Sequence, residues 1–117
     1  MRVLLDACVP RSLAKELPGH EVRTVPEMGW ADLDDRPLLD AMAGLFEVFV
    51  TVDKSLPKQQ RLETRSFATV ILRAKTNRLA DLQPLVPALR EVLQELHPGD
   101  VRELARRPTT GADSVPV

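Results

Sequence analysis

Three aspartates, Asp6, Asp35 and Asp53, and three cations, Lys54, Arg73 and Lys75, are the residues whose types and spacing could do chemistry together. Asp6 directly follows the apolar run VLL, Asp53 follows VFVTV, and Arg73 follows TVIL. Asp35 stands at the head of a helical pattern, with Asp34 beside it and able to take its place. Carboxylates that converge repel one another, so either one holds its proton more tightly or a cation sits among them. Carboxylate oxygens favour hard cations such as Mg2+ or Mn2+. An ion of that kind can activate water and hold a phosphodiester for in-line attack. Lys54, Arg73 and Lys75 would then grip phosphates or the developing charge. Each residue also has a plainer use. Asp53 can cap the short helix that follows it, and Asp35 can cap the helix at Arg36. Arg73 can pair with an aspartate for structure alone. Asp6 lies too far before Pro10 to cap the helix expected there.

Charge is segregated along the chain. From Glu27 to Asp53 seven acids (Glu27, Asp32, Asp34, Asp35, Asp40, Glu47, Asp53) face only Arg36. From Lys54 to Arg78 seven cations (Lys54, Lys58, Arg61, Arg65, Arg73, Lys75, Arg78) face only Glu63. Two solvated faces of opposite sign are the ordinary reading. A carboxylate site beside a cationic track is the sharper one, and it suits a metal next to a phosphate backbone.

The elements that must position these residues are legible as alternating apolar runs and helical patterns. Strands are expected at Arg2–Leu5, His20–Val25, Val48–Val52, Phe67–Leu72 and, as an edge, Val101–Leu104. Helices are expected at Pro10–Leu17, Arg36–Leu45 and Leu56–Leu62. The longest helical pattern runs from Leu79 to Leu96, bent or split by Pro84 and Pro87. Trp30 lies in the loop Pro26–Asp34 and is read as core cover rather than as a stacking platform. The runs VLL, VFV and TVIL do not alternate, which fits strands buried on both faces. Alternating strands and helices give an α/β class: a three-layer α/β/α domain with a mainly parallel sheet of four or five strands. Right-handed crossovers then restrict the topology. Ligands of such a sheet bind beyond the carboxyl ends of the strands, and Asp6, Asp53 and Arg73 stand at those ends.

The chain has 117 residues, enough for one domain over 1–104 with a polar, mobile tail over 105–117. No run approaches the ~20 apolar residues of a membrane span. The opening MRVLLDACVP is interrupted by Asp6 and is not read as a signal peptide. Cys8, the single cysteine, has no partner for a disulfide and reads as a small core residue in a reduced, cytoplasmic setting. His20 and His97 have no ligand partner at suggestive spacing.

The ordered set LLDxxxP (Leu4, Leu5, Asp6, Pro10), GHEVRTV, GWADLDD with an LL-containing helix, VFVTVDKSL and VILRAKTNRLADL resembles the small bacterial PIN-like proteins, the toxin-type partners of toxin–antitoxin pairs. The resemblance covers residues 1 to 104. It implies a PIN-like α/β/α fold, Mg2+- or Mn2+-dependent endoribonuclease activity on an RNA substrate, an antitoxin protein as partner, and possible homodimers. Carried over by position, Asp6 matches the first-strand aspartate, Asp35 the helix-start aspartate, Asp53 the aspartate of the TxD motif, and Arg73 the arginine after the fourth strand. Two positions depart from the pattern: Ala7 and Ser55 stand where many relatives carry an acid. Three carboxylates then hold one hydrated cation rather than two. Two other readings compete. One is a PIN-like module that binds RNA or a partner without chemistry. The other is a phospho-acceptor receiver domain, which wants an acidic pair after strand one, where Ala7 stands, and a lysine ending strand five, where Glu103-Leu104 stands.

Overall fold

A segment buried on both faces must pair every peptide group in a ladder, and the apolar runs do so. The computed structural model describes residues 1–106. Its strands are β1 Arg2–Leu5, β2 Glu21–Thr24, β3 Val48–Thr51, β4 Ala68–Arg73 and β5 Val101–Ala105. They form one sheet in the order β2-β1-β3-β4-β5, every pair parallel. Order reverses between β1 and β3, where Leu5 stands opposite Val50.

Side chains alternate across the strands. Val3, Leu5, Val48, Val50, Val70 and Leu72 enter one core cluster, and Leu4 and Phe49 enter the other. The first face is covered by a 3-10 helix (Arg11–Glu16) and by α3 (Leu79–Leu82) and α4 (Val86–Leu93). The second is covered by α1 (Asp35–Met42), α2 (Leu56–Gln59) and a 3-10 turn at Leu62–Thr64. The result is a three-layer α/β/α fold. The connections from β3 to β4 and from β4 to β5 step the same way along the sheet but cross opposite faces, so the two differ in hand. Uniformly right-handed crossovers are therefore not what this chain adopts. With α1 and α2 on the second face, α3 and α4 join the 3-10 helix Arg11–Glu16 in burying Val48, Val50, Val70 and Leu72.

Most expected elements lie within a residue or two of those observed. The first helix is 3-10 rather than α, confined between Pro10 and Pro18-Gly19. α1 ends at Met42 rather than Leu45, because Gly44 takes a left-handed φ of 83°. The helix expected at Leu56–Leu62 stops at Gln59, and the one expected at Leu79–Leu96 is split by a 3-10 turn at Gln83–Leu85, which contains Pro84. The apolar stripe of that last pattern, including Leu82, Leu89 and Leu93, is buried in the core. Trp30 packs edge-on against Phe46 at 6.2 Å, as core cover. Ala105, expected to open the tail, closes β5, and the tail from residue 107 onward lies outside the described residues. No helix among the described residues is long and apolar enough to cross a membrane.

Candidate functional site

The switch in strand order places the ends of β1 and β3 side by side. The Asp6 N–H still donates to the Val50 carbonyl at 2.9 Å, so Asp6 leaves the ladder opposite Thr51. Thr51 is fully buried and ties the two ends together. Its hydroxyl donates to Asp6 Oδ2 at 2.7 Å and accepts the Asp53 N–H at 3.0 Å. Asp6 Oδ1 accepts the Ala7 N–H at 2.8 Å, and the Cys8 thiol donates to Oδ2 at 3.5 Å. Asp6 is thus aimed by its neighbours rather than left to rotate.

Asp53 opens the turn into α2. Its Oδ1 accepts both the Ser55 N–H at 2.9 Å and the Ser55 hydroxyl at 2.6 Å. That is an Asx turn leading into α2, whose N-cap position is Ser55 with no side-chain capping bond, so Asp53 does not cap the helix itself; the turn occupies one carboxylate oxygen. Oδ2 of Asp53 accepts no hydrogen bond among the described residues. Asp35 is the first residue of α1, with Asp34 at the N-cap position, and neither side chain makes a capping hydrogen bond. The capping use of Asp35 is therefore not adopted. Instead its carboxyl is pushed above the ordinary range, first by burial and then by the charges of Asp53, Asp6 and Asp34. Asp35 thus lies within electrostatic reach of both strand-end aspartates.

Among the described residues no three His, Cys, Asp or Glu side chains are gathered as a ready-made metal cage. The donor set nonetheless fits a hard cation in kind. Mg2+ is commonly held by one or two carboxylates, several waters and the substrate's phosphates rather than by an all-protein shell. Asp35 and the open oxygen of Asp53 would be the carboxylates for such an ion, and Asp6 is held in place by Thr51.

The three predicted cations also come together. Lys54, Arg73 and Lys75 line a cleft of about 770 Å3 at the carboxyl ends of β3, β4 and β5, with Asn77, Arg106 and a single acid, Asp53. Arg73 does not pair with an aspartate; its partner is Glu103 of β5 at 2.8 Å. Lys54 and Lys75 have no ion-pair partner among the described residues. Asn77 donates to the Cys8 carbonyl at 2.9 Å and so moors the cleft's far wall to the loop that follows Asp6.

Thr51, Ser55 and Asn77 were not singled out by residue chemistry. Thr51 carries a readable signal, a hydroxyl in an otherwise apolar strand two residues before an aspartate. Asn77 carries none, because its partner is a backbone carbonyl distant in sequence. Burial pushes the Cys8 thiol up, against an opposing hydrogen bond at the Val52 backbone, and the Asp6 charge adds to the rise. Burial and the Asp6 charge both favour the thiol of Cys8 over the thiolate, which is the nucleophilic form. Compared with family models, curated proteins and solved structures, the chain matches none.

Proposed function

We propose that this chain is a PIN-like, divalent-cation-dependent endoribonuclease. The observation that carries the reading is the juxtaposition at one sheet edge: Asp35 feels Asp6 and Asp53, while Asp53 also borders the Lys54–Arg73–Lys75 cleft. A bound Mg2+ or Mn2+ would supply Lewis acidity at a phosphoryl oxygen and a more acidic water. Asp53 and Asp35 would hold that ion, and Thr51 would keep Asp6 turned toward it. Lys54 and Lys75 would bind the phosphates flanking the scissile bond as point charges. Arg73, already bonded to Glu103 through one nitrogen, keeps further N–H donors for a phosphate. The toxin role, with an antitoxin protein as partner and possible homodimers, follows from the PIN-like resemblance.

The test is cleavage of end-labelled RNA in Mn2+ by the unaltered chain and by Asp53→Asn. Cleavage by the first alone supports the mechanism, and cleavage that persists in Asp53→Asn sinks it. A second reading has its own observation. Asp6 and Asp53 already accept hydrogen bonds from Thr51, Cys8 and Ser55, as carboxylates retained for structure would. RNA bound but left whole by both proteins favours that non-catalytic module.

A further inference from the structure

A second cationic cleft lies on the sheet face that carries α1 and α2. It has a volume of about 460 Å3 and is lined by Arg36, Asp40, Gln59, Gln60, Arg61 and Arg65, with Thr64 at its edge. Its only acid, Asp40, is engaged by Arg65 at 2.6 Å. Arg36 and Arg61 are exposed, and their side chains have neither an ion-pair nor a hydrogen-bond partner among the described residues. The elements that line this cleft also carry Asp35 and follow Asp53 along the chain. Arg36 follows Asp35 in α1, and the turn at Asp53 leads through α2 to Gln59 and Gln60. At a rise of about 1.5 Å per residue, Asp40 sits ~7.5 Å along α1 from Asp35.

We infer that this cleft binds a phosphate of the same single-stranded polynucleotide, on the other side of the carboxylates from the Lys54–Arg73–Lys75 cleft. The inference rests on the ribonuclease reading and adds where the strand runs. Guanidinium forks match phosphate oxygens bidentately and their planes stack on unpaired bases. The Gln59 and Gln60 amides carry both donors and acceptors, which suits base edges. Arg65, steadied by Asp40, holds the floor, while Arg36 and Arg61 are left to move onto the ligand. An acidic protein segment would satisfy the arginines as well, but it offers no flat unpaired base for a guanidinium plane to stack on.

The test is binding of a fluorescent single-stranded oligouridylate in EDTA, where nothing is cleaved, over a range of salt concentrations. Three charge-matched pairs are compared with the unaltered chain: Arg36→Gln/Arg61→Gln, Lys54→Gln/Lys75→Gln, and Arg11→Gln/Lys15→Gln on the opposite face. Each lost phosphate contact lowers the salt slope by about 0.7 for a single strand, so the Arg36/Arg61 pair, holding one phosphate, should lose about 0.7 and the Lys54/Lys75 pair, holding two, about 1.4, each binding roughly tenfold more weakly. The third should change neither. An Arg36/Arg61 variant that binds like the unaltered chain, while Lys54/Lys75 weakens, overturns this site and leaves the ribonuclease reading standing. Equal losses in all three pairs reduce binding to diffuse attraction and also overturn the site. No binding by the unaltered chain overturns both readings. An Arg36/Arg61 variant that loses affinity for polyglutamate but keeps it for RNA reassigns the cleft to an acidic protein. Thermal melts of the variants identify any loss that comes from unfolding.

Discussion

Thr51→Val isolates the joint between β1 and β3. Valine keeps the shape of threonine, so the substitution opens no cavity. It removes the hydroxyl that donates to Asp6 Oδ2 at 2.7 Å and accepts the Asp53 N–H at 3.0 Å. A hydrogen bond to a charged group contributes ~1.5–3 kcal/mol, and a fully buried orphaned N–H costs ~1–3 kcal/mol. Asp6 and Asp53 are only partly buried, which allows water to replace some of each bond. A loss of about 2 kcal/mol follows, or ~8 °C in Tm for a domain of this length. Thr51→Ser keeps the hydroxyl and deletes one buried methyl, so it should lose about 0.8 kcal/mol, near 3 °C. The assay is thermal melting of both variants alongside RNA cleavage in Mn2+. We expect valine to lower Tm more than serine and to depress cleavage more than serine. A valine variant that melts with the unaltered chain, or a serine variant that is the worse of the two, would refute the bridging role.

Three further outcomes are expected. Thr69 Oγ1 is buried with no hydrogen-bond partner among the described residues, so Thr69→Val should raise stability by about 1 kcal/mol; a lower urea midpoint would show that the hydroxyl is satisfied after all. The Asp35 carboxyl is raised by burial and by Asp53, Asp6 and Asp34, so the folded chain holds that proton more tightly than the unfolded chain. The resulting stability is fully present below the ordinary value of 3.8 and is lost as pH rises through the higher folded value. Asp35→Asn should therefore be more stable than the unaltered chain at neutral pH, with a gap that closes toward pH 3.8, as urea midpoints across pH will show; a gap that widens in acid contradicts the crowding. The Cys8 thiol is held up by burial and then by Asp6, so Asp6→Asn should speed its alkylation by iodoacetamide at pH ~8, followed by mass spectrometry; an unchanged rate breaks the contact seen at 3.5 Å.

The elements were readable because each strand is a short apolar run closed by turn chemistry, as Val48–Thr51 is closed by the Asp53–Ser55 turn. Asp6 and Asp53 could be found from sequence because in a parallel sheet the residue after a buried strand emerges at the ligand-binding edge. Strand order was not readable in the same way. Nothing in VLL, VFV or TVIL states its neighbours, and the differing hand of the last connection depends on which face the earlier helices leave bare. The Glu103 partner of Arg73 and the Asn77–Cys8 tie were hidden for a related reason: both join residues that only the sheet order makes neighbours. The Arg36–Arg61–Arg65 cleft was half visible, as a cationic run after Lys54. Its placement beside α1 required the fold.

The central claim is that Asp6, Asp35 and Asp53 form one divalent-cation centre. Substoichiometric Mn2+ added to the isotope-labelled chain tests it directly, because a bound paramagnetic ion broadens the amide signals around it. We expect the signals of Asp6, Asp35 and Asp53 to broaden together and first, and all three to recover on adding EDTA. Broadening centred elsewhere, or at one aspartate while the other two stay sharp, contradicts a shared centre.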